Sequence, residues 1–450
     1  MKRRQLMAVS SGFVAAALAG CIGNDNQGDD GSDGGADGSD GNDPAESETP
    51  DETETPADVD DEHLETLVRG TNGFAFDLYG EVVGDEPAAN VFASPISATL
   101  GLSMAYAGAR EDTRDQMREV LGYQLDDSLV HAGFAQLQEQ FDERGADGES
   151  DAEGEQPFEL SVVNSAWGQS EYPFEEGYLD TLDTHYGGGL RETDFRENAP
   201  AARADINDWV ATETDDRIED LLPEGSLTPL TRLVLVNAVY FMANWKHTFP
   251  TDATSEETFT ALDGDEHAVQ MMEQEQDWQY AELDGAQAVE LPYVGDEVSM
   301  LVVLPPEGEF ESYESSFDAE TLDSLVDALE RQEGTVYLPR FEFDWRVRLS
   351  KPLKALGIED AFAQKAANFD GIADTDEDLY LHEAFHKTFV AVDESGTEAA
   401  GATAAVIGDT AVPADPFEFR ANRPFLFAIR DRPTGSVLFL GRAVDPEGWR

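Results

Sequence analysis

One stretch narrows the fold more than any other: TRLVLVNAVYFMANW, in which Leu233 to Phe241 is an apolar run broken only by Asn237. Alternating leucine and β-branched residues favour a strand. Because neither alternate row is polar, the strand is expected to be covered on both faces. FELSVVNSAWG reads as another strand. Layers must therefore lie above and below a central sheet, and helices are the natural cover.

The rest of the chain supplies them. Residues 64–83 read as a helix, with Ala75, Leu78, Tyr79 and Val82 on one face. NVFASPISATLGLSMAYAGA begins extended and turns helical at Pro95, with Ser94 as the expected N-cap. TRDQMREVLGY and LSKPLKALGI read as short helices. AVELPYVGDEVSMLVVLPP reads as a strand pair around a Gly-Asp turn, GTVYLPRFEFDWRVRL as alternating β, and KTFVAVD as a strand. PFLFAIRDRPTGSVLFLGRAVDP reads as a hairpin turning at Pro433-Thr434-Gly435. Helices dominate the first third and strands the last half, so the expected class is α+β. The acidic stretch Glu143 to Gln156 reads as a surface loop.

Charge excludes one large class of partner. The 450 residues carry 95 Asp and Glu against 28 Lys and Arg, a net charge of -67. Such a surface repels phosphate, so nucleic acid is not an expected partner. Disorder does not explain the composition after residue 61, because aromatic and aliphatic residues recur as far as Trp449. A folded protein working in molar salt does explain it. There the Debye length is about 3 Å, and hydrated carboxylates keep the surface soluble without mutual repulsion.

The first residues read as an address. MKRRQLMAVSSGFVAAALAGC has a basic start and an apolar centre too short to span a membrane. Arg3-Arg4-Gln5-Leu6-Met7 resembles a twin-arginine export signal, and Leu18-Ala19-Gly20-Cys21 resembles a lipobox that leaves Cys21 lipid-modified. Cys21 is the sole cysteine, so neither disulfides nor thiol catalysis is expected. Residues 22–61 carry almost nothing apolar and read as an acidic disordered tether. The expected organisation is an export signal over 1–21, the tether over 22–61, and one folded domain over 62–450.

Two motifs compete near the C-terminus. His382-Glu383-Ala384-Phe385-His386 fits the H-E-x-x-H pattern of zinc peptidases, which works only on a helix, where both histidines share a face. Here KTFVAVD follows, with strand character, and no further histidine comes after His386. A buried histidine bonded within a sheet fits this context better than a ligand in a His382/His386 zinc site. No G-x-S-x-G elbow or Walker loop is present. The second motif is DESGTEAAGATAAVIGDTAV. Between Glu398 and Asp409 it has no charge and no proline. Thr397, Ala399, Gly401, Thr403, Ala405 and Ile407 form one small or apolar row, as in a segment able to enter a sheet as a strand.

DESGTEAAGATA resembles the hinge of the serpin family. NVFASPISATLGLSMAYAGA, LVLVNAVYFMANWKHTFP and RPFLFAIRDRPTGSVLFLGRAVDP resemble other serpin signatures, in the same order along residues 62–450. The resemblance implies a serpin fold, in which helices and a large central mixed sheet carry an exposed reactive loop. It implies a single-use inhibitor of serine proteases that is not an enzyme, needs no cofactor or metal, and acts as a monomer. A non-inhibitory serpin-fold binding protein is the alternative, although its hinge usually carries bulky or charged residues or proline. Residue by residue, Ser94, Ser97, Asn237 and His386 match the serpin shutter, and Trp245 and Glu394 the breach. Glu394, Gly396, Thr397, Glu398, Ala399, Ala400 and Gly401 match the hinge. Counting seventeen residues from Glu394 places the reactive bond at Thr410-Ala411. Asp409-Thr410 is the neighbouring choice, and a count back from Pro424 points nearer Pro413. A Thr-Ala bond suits a subtilisin-like or elastase-like protease. With the lipobox, these features place the protein on the outer face of the cell membrane, lipid-anchored through Cys21.

Overall fold

A computed structural model describes residues 59–146, 158–187, 190–375, 379–382, 384–397 and 416–449. Cys21, Glu398, Ala399, Ala400, Gly401, Thr410 and Ala411 lie outside the described residues, as do the export signal and nearly all of the tether.

The first helix, α1 (Asp61–Asp85), starts where the Asp60 carboxylate accepts the His63 backbone N–H at 2.9 Å. Ala75, Leu78, Tyr79 and Val82 are all buried along it. Strand β1 (Val91–Ala93) leads to α2 (Pro95–Gly108), capped by Ser94, whose Oγ accepts from Ser97 N at 3.4 Å. Every residue of α2 except Ala107 is buried. A helix with no polar face belongs at the centre of a domain. Around it pack α3 (Glu111–Val120), α4 (Asp127–Ala146) and α5 (Glu176–His185). Glu143 to Ala146 continue α4, so the expected loop begins later than its acidity suggested.

Six strands make the sheet that matters most here: β2 (Phe158–Gln169), β3 (Arg191–Thr193), β4 (Leu233–Asn244), β10 (Phe341–Arg348), β11 (Ala384–Val392) and β12 (Gly396–Thr397). Their order is β10-β11-β12-β4-β2-β3, and β11 also pairs directly with β4. The second sheet holds β1, β5 (Ser255–Thr260), β6 (Glu266–Leu283), β7 (Ala286–Pro292), β8 (Val298–Leu304), β9 (Glu330–Pro339), β13 (Phe417–Arg420), β14 (Phe425–Asp431) and β15 (Val437–Ala443). GTVYLPRFEFDWRVRL is not one strand. It breaks at Arg340, and its halves β9 and β10 join different sheets. Pro339 still pairs with Met271 of β6, and Arg340 N donates to Gln270 O at 2.8 Å as a last rung before the chain passes to the other sheet.

The apolar strand β4 is covered on both faces. Leu233, Leu235, Val239, Phe241 and Ala243 enter the main core. The alternate row, Val234, Val236 and Ala238, enters a second core beneath α6 (Phe195–Glu213), with Ile206 and Val210 of that helix. Three short helices, α7 (Phe310–Glu314), α8 (Ala319–Asp327) and α9 (Ser350–Leu356), complete the description. The mixture of helices with two multi-stranded sheets is α+β.

Candidate functional site

The central feature is a slit between β4 and β11. At its lower end the two strands pair in parallel from Ala384↔Leu235 to Thr388↔Val239. Asn237 lies opposite His386 there. The sequence buries a polar pair in an apolar run, so every polar atom needs a partner. Asn237 Nδ2 donates to Ser97 Oγ and to Asn164 Oδ1, both at 2.6 Å, and also to the Ser97 carbonyl. Its Oδ1 bonds His386 Nδ1. Ser94 N donates to His386 Nε2 at 3.0 Å, while Ser94 Oγ donates to Leu438 O at 2.8 Å. The N-cap of α2 thus touches both the slit and the C-terminal hairpin.

These bonds fix the state of His386. A backbone N–H can only donate, so Nε2 must be the unprotonated nitrogen and the proton sits on Nδ1, facing Asn237 Oδ1. His386 is fully buried beside the Trp345 ring, 5.9 Å away edge-on. Burial pushes its pKa down to about 3. It is a neutral structural bridge. Ser94, Ser97, Asn237 and His386 therefore meet in one cluster. Asn164 of β2 is a member that the sequence reading missed; two residues along β11, Thr388 Oγ1 donates to Phe92 O and ties the strand to β1. A single asparagine in a strand gives no signal of its own.

The upper end is different. Above Thr388 and Val239 the strands part to admit β12, which runs antiparallel to both. Gly396 and Thr397 pair with Asn244 and Ala243 of β4, and Thr397 with Val392 of β11. A tight turn delivers it. The Asp393 carboxylate accepts from Ser395 N at 2.7 Å and Gly396 N at 3.2 Å, an Asx turn. Gly396 has no substitute there, because a Cβ would lie 2.1 Å from the Ala243 carbonyl oxygen. Trp245, just past β4, holds the turn through Nε1, which donates to Asp393 O at 3.0 Å, and through its backbone N, which donates to Ser395 O at 2.8 Å. Glu394 is buried; it accepts from Thr254 Oγ1 at 2.7 Å and lies 3.4 Å from Arg340 Nε. Trp245, Glu394, Gly396 and Thr397 thus form one group at the open end. The sequence marks Thr397 as part of the hinge and of a row able to enter a sheet. Thr397 is already in the sheet, 1% exposed.

The same geometry separates the two histidines of the peptidase-like motif. His382 is exposed and lies before β11, whereas His386 is buried within that strand with both ring nitrogens in hydrogen bonds. They share no helix face.

A sequence profile described as Serpin (serine protease inhibitor) matches residues 69–446. An uncharacterized serpin-like protein of Thermococcus kodakarensis is 39% identical over 383 residues, covering 85% of this chain and 86% of that protein. The leukocyte elastase inhibitor of Homo sapiens is 34% identical over 393 residues, 85% of this chain and 100% of that protein. The crystal structure of tengpin, a thermophilic serpin in its native state, superposes with a TM-score of 0.76 at 26% identity, over 87% of this chain and 96% of that one.

Proposed function

The chain belongs to the serpin family, and from that premise we propose that it is a single-use inhibitor of serine proteases. One observation carries the reading: at the open end of the slit Thr397 is already paired on both sides, with Ala243 of β4 and Val392 of β11, and Gly396 is paired with Asn244 of β4. After Glu398 the residues are small or aliphatic and uncharged as far as Gly408.

The proposed chemistry begins on the protease. Its serine Oγ attacks the Thr410 carbonyl carbon, the bond to the Ala411 nitrogen breaks, and Ala411 leaves as a new amino terminus. The Thr410 carbonyl is now an ester on the protease. The freed segment from Glu398 onward extends β12 down the slit, between β11 and β4. Strand addition of this kind satisfies backbone donors and acceptors along its whole length, serpin loop insertion being a known case. The tethered protease is carried away before water cleaves the ester. Neither His386 nor any other residue of this chain needs to act as acid or base.

The target is a subtilisin-like or elastase-like protease, which the Thr-Ala bond suits. The relative named for elastase inhibition is compatible with that choice. The acidic composition supports work in molar salt, and the export and lipobox patterns support an anchor at Cys21 on the outer face of the membrane, the domain acting as a monomer. Mixing the full chain with subtilisin in molar salt and running a denaturing gel tests the inhibitory step. A covalent complex that survives denaturation is expected, and cleavage with no complex sinks the reading in favour of a non-inhibitory serpin. The anchor is tested separately: Cys21→Ser should leave the membrane fraction, and its retention there contradicts lipidation.

A further inference from the structure

We infer that Tyr293 is a positioning residue for loop insertion: its hydroxyl seats Thr397 in the sheet before a protease arrives, so that the new strand grows from a pair already made. The inference rests on the inhibitory reading above. Tyr293 follows β7 and belongs to the hairpin of the other sheet, not to the sheet that receives the loop. Its ring leaves the hydroxyl little choice of position. It stacks on Trp245 at 4.6 Å and 8°, and meets Phe241 edge-on at 5.2 Å. Its backbone is held by an isolated bridge to Trp245 and by Tyr293 N donating to Val298 O at 3.0 Å. From this mount the hydroxyl lies 2.8 Å from Thr397 Oγ1. Tyr293 is fully buried and Thr397 is 1% exposed.

Trp245 and Tyr293 therefore act as one aromatic clamp on the two arms of the hinge turn. Trp245 grips the Asp393 carbonyl on the way in, and Tyr293 grips the Thr397 side chain on the way out. Threonine suits the seat, since its size fits between two strands and its hydroxyl can pair. The bond is to the incoming segment, so downward growth of the strand from Glu398 leaves it intact. Without it, each acylation event must first bring Thr397 back into register, and the ester has longer to hydrolyse.

The pair makes an unusual demand on mutants. Removing one hydroxyl strands the other in a dry site, whereas removing both leaves two apolar groups in contact, which is close to neutral. Four full-length proteins test this: wild type, Tyr293→Phe, Thr397→Val and the double variant. Amide hydrogen exchange over Asp393 to Thr397 is read without protease, and the ratio of cleaved to complexed protein is read with subtilisin in molar salt. Each single variant should speed exchange at Gly396 and Thr397 by about tenfold and raise the cleaved fraction. The double variant should return towards wild type in both. Thr397→Val approaches the bond from the opposite side, so a folding defect in Tyr293→Phe does not decide the matter. Single variants that match wild type in exchange and in partitioning overturn the seat, as does a double variant no better than the singles. A wild type that forms no complex at all defeats the inhibitory reading instead, while the exchange data still report on the seat.

Discussion

The two ends of the slit are built on opposite plans. At the lower end, β4 and β11 are joined to each other by five residue pairs, and Asn237 and His386 bond across the junction and into α2. At the upper end the strands are apart, and Trp245, Thr254 and Tyr293 direct their side-chain bonds to the segment that enters there. Bonds of the first kind must break before another strand can pass. Bonds of the second kind persist as it does. Resistance and readiness are thus separate properties of one sheet, held by different residues, and they can be altered one at a time.

The most disruptive way to break this comparison is at the upper end. Thr397→Arg places a charge in a dry seat, at a cost of several kcal/mol if it stays there unpaired. The hinge should leave the sheet before any protease is added, and insertion should lose its race with hydrolysis. Wild type should give mostly covalent complex on a denaturing gel and the variant mostly cleaved chain; an undiminished complex shows that the seat is irrelevant.

Asn237→Ala attacks the lower end. It removes bonds to Ser97 and Asn164 and leaves the buried His386 Nδ1 without its partner, while the Ser97 carbonyl keeps only the longer bond from Asn164 Nδ2 at 3.4 Å. Orphaned buried groups cost about 1–3 kcal/mol each, so a loss of roughly 2–4 kcal/mol is expected in urea unfolding at molar salt. Unlike Thr397→Arg, it should lower global stability while the hinge amides remain protected. Equal loosening of both ends in hydrogen exchange contradicts the separation.

The smallest test sharpens the comparison through pH. The unfolded chain takes up a proton on His386 below about pH 6.5, the ordinary histidine value, whereas the folded state refuses it until about pH 3. Between those values the unfolded state binds more protons, so stability must fall as pH falls. The slope is at most about 1.4 kcal/mol per pH unit for one such group. His131, bonded to the Tyr186 hydroxyl between α4 and α5 and pushed down to about 4 by burial, adds a similar slope over a shorter window. Burial also lowers His185 and His247, so melting curves from pH 7 to pH 5 on a His131→Phe, His185→Gln, His247→Gln variant isolate the share of His386. A flat profile in that variant denies that His386 is buried and neutral.

The sequence made the lower end readable and the upper end only half so. Ser94 and Pro95 carry a helix-start signal in their own chemistry, and α2 begins there. The apolar β4 run announced two covered faces, and each face has its own core. Asn237 stood out as the one polar break in its run and His386 as a histidine in a strand, but their pairing came from resemblance alone, because nothing local says that residues 149 apart face each other. Asn164 and Tyr293 were missed for the same reason, each acquiring its role only from a partner on another strand. The split at Arg340 was visible in the pattern, since the buried row moves from even positions at Val336 and Leu338 to odd positions at Phe341, Phe343 and Trp345. Thr397 was assigned to the hinge, but its burial before cleavage depends on the aromatic pair behind it.

The direction of the strands has a consequence of its own. β4 and β11 run parallel where they meet, while β12 runs antiparallel to each. Parallel pairing is slightly the weaker per residue. Under the proposed insertion, one parallel ladder is exchanged for two antiparallel ones, and the exchange proceeds one rung at a time from the seat downward. Going back would require giving up two ladders to regain one. The sheet is then a ratchet that keeps a record: a molecule that has met its protease once cannot be reset by removing it.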